Sequence, residues 1–112
     1  MCLFCKIAAK QIPSKILFED DLLLAFHDIN PAAPTHVLVI PKQHLTNLSE
    51  ALPEHAELLG KLLLAAAKAA SATGISQSGY RVVANTGPDA GQSVFHVHIH
   101  VLGGRQMAWP PG

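Results

Sequence analysis

The chain has 112 residues, 49% of them hydrophobic and 14% charged, with 8 basic and 8 acidic side chains and a formal net charge of zero. That length predicts a single domain, residues 1–112, with a core of its own. The balanced charge excludes the basic surface that grips a nucleic-acid backbone, so no nucleic-acid partner is expected.

At the start, Met1-Cys2-Leu3-Phe4-Cys5-Lys6 lacks a basic region followed by an apolar core, so no signal peptide is expected. No apolar stretch reaches the roughly 20 residues that span a bilayer; the longest, Leu58 to Ala70, is interrupted by Lys61 and Lys68. A soluble, cytoplasmic protein with no membrane partner is the expectation. Cys2 and Cys5 lie too near one another in sequence to staple the fold, and a Cys-x-x-Cys pair in a reducing compartment suits metal binding or redox chemistry.

Ile16 to Glu19 and Leu22 to His27 are two apolar runs joined at Asp20-Asp21, which predicts a hairpin. Two prolines and an asparagine make Asp28 to Thr35 a loop. His36 to Ile40 is a short strand closed by Pro41. The one long helix is expected to start near Pro53, with Ser49 or a neighbour as its cap and Gly74 as its stop. Ala56, Leu59, Leu63, Ala66 and Ala70 recur at three- and four-residue spacing as an apolar stripe. Leu58 and Leu62 widen it beyond what one sheet face needs, which points to a second partner, most simply a dimer mate. Tyr80 to Asn85 and Val94 to Leu102 read as strands, separated by the polar loop Thr86 to Ser93. Short connections between neighbouring strands favour an antiparallel sheet, and the class is α+β.

The last strand carries the chemistry. Side chains alternate between faces with a period of two, so His96, His98 and His100 share one face while Val97, Ile99 and Val101 take the other. Two readings of that face compete. Three imidazoles could ligate zinc, although a spacing of about 6.5 Å per step demands strong twist or a ligand from elsewhere. Alternatively, an imidazole nitrogen attacks phosphorus and later leaves, splitting one displacement into two. The upstream Gly91-Gln92-Ser93 favours the second: glycine lets backbone N–H groups approach an anion, and the Ser93 hydroxyl can donate to a phosphate oxygen or a leaving group.

His96-Val97-His98-Ile99-His100-Val101-Leu102 resembles the His-φ-His-φ-His-φ-φ signature of the histidine triad superfamily, φ being apolar. The resemblance extends over nearly the whole chain and points to the Hint branch. It includes Phe18-Glu19-Asp20-Asp21, Ala25 to Ile29, Pro34 to Lys42, Gly91 to Val94, Leu102 to Met107 and the ending Trp109-Pro110-Pro111-Gly112. It implies a HIT-like fold: a five-stranded antiparallel sheet, one long helix, a short N-terminal helix and a sheet extended across a homodimer. It also implies hydrolysis of purine nucleoside phosphoramidates (AMP- or GMP-amine conjugates) through a nucleotidyl-histidine. His98 would be the nucleophile, His100 would contact the phosphate, and His36 would support them by hydrogen bonding. Gly91, Gln92 and Ser93 would line the phosphate, with Ser93 toward the leaving group and Asn85 nearby. Asp28 would hold the ribose hydroxyls, while Phe4, Ile7 and Ile29 flank the base.

Metal-bearing members resembling this chain also imply a structural zinc on Cys2, Cys5, His44 and His96, a Cys2His2 set of the kind that makes tetrahedral sites. No organic cofactor is expected. The resemblance leaves two other roles open, a nucleotide-binding regulatory protein with vestigial hydrolysis and a dinucleoside polyphosphate hydrolase. A plain metal-binding domain leaves Gly91-Gln92-Ser93 and Asp28 unexplained. Ala108 stands where some Hint members carry histidine, which bears on the leaving group. His27, His55, Arg105 and Lys42 are expected to be structural or solvent-facing.

Overall fold

The alternating apolar segments come together in a computed structural model, which describes residues 2–112, as one antiparallel sheet. In chain order the elements are α1 (Leu3–Ala8), β1 (Ile16–Glu19), β2 (Leu23–His27), β3 (Thr35–Pro41), α2 (Ala56–Ala72), β4 (Tyr80–Val83) and β5 (Ile99–Gly103). Single 3-10 turns at Leu48–Glu50, Pro53–His55 and Pro88–Ala90 join them. The strand order is β1-β2-β3-β5-β4. The class is α+β, with one long helix and a short N-terminal one, as expected.

The two faces of the sheet do different work. On one, Leu23, Ala25, Val37, Val39, Ile99 and Val101 pack against Leu62, Ala65, Ala66, Ala69 and Ala70 of α2. On the other, Leu24, Phe26, Leu38 and Ile40 meet Phe4 and Ile7 of α1. His100 pairs with Leu38, and Leu38 with Phe26, so the histidines lie on the α1 side, and Phe4 packs edge-on to both His96 and His98.

Three expectations need correction. The last strand begins at Ile99 rather than Val94. Continuing the β3–β5 register beyond Val39↔Ile99 would set Val97 opposite Pro41, which has no N–H, and Val97 instead donates its N–H to the Leu45 carbonyl at 2.6 Å. With no partner there, β4 also stops early, at Val83 opposite His100, not at Asn85. Ser49 does not cap the long helix; it lies within the 3-10 turn Leu48–Glu50, whose cap is Asn47, accepting from the Glu50 N–H at 3.1 Å. The helix begins at Ala56, after the turn that starts at Pro53. Gly74, at φ +79°, does end it, and the Ile75 N–H returns to the Ala70 carbonyl at 3.0 Å.

Of the helix stripe read from spacing, Ala66 and Ala70 are buried and Leu59 packs against the core, but the centre of the stripe is shifted. Leu62 is fully buried at its centre, whereas Ala56 and Leu63 face solvent, Leu63 at 57% and Leu64 at 73% exposure. Leu62-Leu63-Leu64-Ala65-Ala66-Ala67 is apolar all round, so spacing alone could not choose the arc. The sheet takes the one richest in alanine, which lets the backbones approach closely. Leu62→Ala is therefore expected to cost roughly 2–5 kcal/mol, and Leu64→Ala under about 1 kcal/mol. Urea denaturation of both variants checks this, and equal losses would contradict the phase.

Candidate active site

Three adjacent strands, β2, β3 and β5, and α1 enclose a cleft of about 350 Å³. Its apolar wall comes from Leu3, Phe4 and Ile7, with Ile12, Phe26 and Leu38, and its polar side from Asp28, Ser93, His98 and His100. Ile29 stands at the mouth, 82% exposed. Asp28 follows β2, and its carboxylate accepts the Asn30 N–H at 2.8 Å, which aims it from the loop.

Hydrogen bonds to the backbone settle which imidazole nitrogen carries the proton. The Ala32 N–H can only donate, so His36 Nδ1, 3.0 Å away, accepts. In neutral His36 the proton is then on Nε2, which donates to His100 Nδ1 at 2.9 Å and lies 3.5 Å from Asp28 Oδ2. His100 in turn keeps its own proton on Nε2. His98 is arranged the opposite way. Its Nδ1 lies 2.7 Å from the His96 carbonyl oxygen, which can only accept, so Nδ1 carries the proton and Nε2 bears the lone pair. A donor nitrogen on His100 and a free lone pair on His98 thus sit on neighbouring imidazoles, ring centres 5.0 Å apart.

Burial keeps His36 and His100 neutral. It pulls His36 below the ordinary histidine range against the opposing pull of Asp28. His100 is held down to about 4, by burial first and then by His98 and His36, with Asp28 again opposing. The unfolded chain titrates near the ordinary value of about 6.5 and therefore binds protons that the folded protein refuses as pH falls from about 6.5 toward 4. This contribution to stability is complete above that window and is lost through it. The slope is at most about 1.4 kcal/mol per pH unit for each proton. His100→Asn should flatten it in urea melts across the window, and an unchanged slope would show that His100 does not titrate in this way.

A second cluster lies beside the cleft. The Cys2 sulfur caps α1 by accepting the Cys5 N–H at 3.2 Å. It stands 3.1 Å from the Cys5 sulfur, 3.6 Å from His44 Nδ1 and 3.2 Å from His96 Nδ1. The Cys5 sulfur is 3.4 Å and 3.5 Å from the same two nitrogens, which are 3.2 Å apart. Tetrahedral zinc with bonds of about 2.0–2.3 Å separates its ligands by roughly 3.3–3.8 Å; the six spacings here run from 3.1 to 3.6 Å, so two sulfurs and two imidazole nitrogens form the donor set of such a site in a slightly contracted arrangement. His96 is wholly buried and its Nε2 donates to the Pro41 carbonyl at 2.8 Å, which turns the Nδ1 lone pair into the cluster. Burial, followed by Cys2, pushes the Cys5 thiol up. A cation among the sulfurs would act in the opposite direction.

The three triad histidines therefore do not converge on one point. His96 faces the cysteines, His98 the cleft, and His100 joins His36 and Asp28. The last group also brings potential ligand atoms within 4.8 Å of one another. With His36 Nδ1 accepting from Ala32, however, Nε2 is protonated and offers a metal no lone pair. The group is a hydrogen-bonded relay.

Some candidates lie off the cleft wall. The Gln92 amide is already engaged: Oε1 accepts the Gly87 N–H at 2.9 Å, and Nε2 donates to the Thr46 and Val94 carbonyls at 2.8 and 3.1 Å. It shapes the loop that carries Ser93. Gly91, at φ +76°, closes the turn Pro88–Ala90, and Asn85 is half-buried outside the lining residues. His27, read as a bystander, lines the cleft, as do Ile12, Pro13, Ser14 and Asn30. Phe26 and Leu38 were findable as strand partners on the histidine face, whereas Ile12 to Ser14 lie in a loop without a periodic signal. Lys42 pairs with Glu19 at 2.9 Å, and Arg105 donates to the Ala32 carbonyl at 3.2 Å.

Comparisons with known proteins place the chain in a family. A model of the HIT domain family matches residues 9–107. The chain is 51% identical to a protein named adenylylsulfatase HINT1 from Arabidopsis thaliana, over 98% of this chain and 76% of that one. It is 54% identical to a 14 kDa zinc-binding protein from Zea mays, over 98% and 87% of the two chains. The crystal structure of a HIT family hydrolase from Legionella pneumophila superposes with a TM-score of 0.98 at 52% identity, covering both chains completely.

Proposed function

Because the chain belongs to the HIT domain family, in its Hint-like branch, we propose that it is a nucleotide hydrolase that cleaves purine nucleoside phosphoramidates through a nucleotidyl-His98 intermediate. The observation that carries this reading is the His98 Nδ1–His96 carbonyl bond, which leaves the Nε2 lone pair free on the wall of a cleft lined by Phe4, Ile7, Asp28 and Ser93. The hydrolase and adenylylsulfatase relatives support the general class.

In this reading the base lies against Phe4, Ile7 and Ile29, and Asp28 accepts from the ribose hydroxyls. His98 Nε2 attacks the phosphorus. The P–N bond to the amine breaks, and the amine leaves with a proton donated by the Ser93 hydroxyl. His100 donates its Nε2–H to a phosphoryl oxygen, with His36 and the Ala32 N–H fixing that tautomer. Water then attacks the phosphorus and gives a proton back to Ser93 as the bond to Nε2 breaks, which releases the nucleotide and free His98. Gly91 and Gln92 shape the phosphate loop.

Zinc on Cys2, Cys5, His44 and His96 would be structural; it would cross-link α1 to the two segments carrying His44 and His96. No organic cofactor enters the scheme. The exposed Leu63 and Leu64, with Tyr80 and Val82 on the open edge of β4, support a homodimer that continues the sheet. No helix among the described residues is long and apolar enough to cross a membrane, in keeping with a cytoplasmic protein.

A panel of AMP and GMP phosphoramidates, with adenylyl sulfate and a dinucleoside polyphosphate, tests the reading. Fastest turnover is expected on the phosphoramidates. Preference for a polyphosphate, or tight AMP binding with no turnover on any of them, would overturn it.

A further inference from the structure

The cysteine cluster is joined to the cleft through two residues. His96 presents Nδ1 to both sulfurs and offers its backbone carbonyl to His98 Nδ1–H, so one residue touches the sulfur pair and orients the nucleophile. Phe4, set between the two cysteines on α1, packs edge-on to His98 with ring centres 5.0 Å apart and lines the cleft. His96 has 0% exposure, so Nδ1 has no water to turn to if the sulfurs are withdrawn. The cysteines themselves are half-buried and His44 is exposed, which leaves a small oxidant a way in. Their sulfurs already touch, 3.1 Å apart.

We propose that Cys2 and Cys5 are a thiol pair that a hydroperoxide closes to a disulfide, and that this modification loosens the cleft by removing the partners of His96. The Cys2 sulfur attacks one peroxide oxygen, the O–O bond breaks, and water leaves, giving a sulfenic acid. The Cys5 sulfur then attacks Cys2, the S–O bond breaks and a second water leaves. Both sulfurs are oxidised, the peroxide is reduced, and two thiols plus one hydrogen peroxide give one disulfide and two waters. Disulfide sulfurs are poor ligands and poor acceptors, so a metal held by the four residues is released and the buried Nδ1 loses its sulfur contacts. Relief comes from a shift of His96 or α1, and either one moves a wall of the cleft.

The link to substrate rests on the nucleotide reading above, so the test has two arms. Protein purified without chelator is treated with hydrogen peroxide and followed by peptide mapping, zinc release, AMP titration and the imidazole proton spectrum of His98. Expected are a linked Cys2–Cys5 peptide, loss of zinc in step with it, a displaced His98 signal and about tenfold weaker AMP binding, all reversed by a dithiol with added zinc. Sulfinic acids in place of a linked peptide would overturn the proposal. So would a linked peptide with AMP affinity and the His98 signal unchanged, or a peroxide-induced shift of that signal in Cys2→Ser, measured against untreated Cys2→Ser, as large as in the unsubstituted protein. If the reduced protein binds no AMP, the nucleotide reading fails, and the thiol proposal is judged on the linked peptide and the His98 signal alone.

Discussion

Replacing His98 by asparagine is expected to lower turnover of an adenosine phosphoramidate by roughly three to six orders of magnitude, the range seen when a covalent nucleophile is removed. The asparagine amide can still donate to the His96 carbonyl, so the backbone hydrogen bond that His98 Nδ1 makes at 2.7 Å has a substitute. What it cannot supply is the Nε2 lone pair. AMP affinity should change less than about tenfold, because Phe4, Ile7, Asp28 and Ile29 are untouched. Steady-state kinetics and AMP titration on one preparation separate the two quantities. Loss of AMP binding along with turnover would mean that His98 holds the nucleotide rather than reacting with it.

The second large effect is on stability. Its four donors come from distant parts of the chain, Cys2 and Cys5 at one end, His44 after β3 and His96 before β5. A metal there closes long loops and fixes a short helix that would not persist alone. Cys5→Ser, which removes one thiolate, is expected to abolish stoichiometric zinc and lower stability by roughly 3–5 kcal/mol. For a domain of this size that is a fall in Tm of more than about ten degrees. Metal analysis beside thermal unfolding checks both parts. A variant that loses zinc without losing stability would make the metal incidental to the fold.

How much could be read beforehand depended on the kind of signal. The period of two put Val97, Ile99 and Val101 in the α2 core and the histidines on the opposite face, and the structure keeps that division. Ladder hydrogen bonds begin only at Ile99, because what stops them is a proline on another strand, a tertiary fact with no local trace. Helix α2 was legible in extent but only partly in phase, since Leu59, Ala66 and Ala70 face the core while a segment apolar all round left Leu62 and Leu63 undecided. The histidine face remained divided between metal and nucleophile while only spacing was considered. The separation comes from tautomers, and those depend on the Ala32 N–H and the carbonyls of Pro41 and His96. Gln92 shows the converse limit. Its place beside Ser93 suggested phosphate contact, but its amide is spent on Gly87, Thr46 and Val94.

The central claim is that the nucleotide becomes bonded to His98. Rapid acid-free quenching of the protein with an adenosine phosphoramidate, followed by intact mass and peptide mapping, tests it most directly. One adenylyl group per chain is expected, appearing before AMP is released, carried on His98 and absent from His98→Asn. Full turnover without a labelled protein, or a label on His100 or His36, would contradict it.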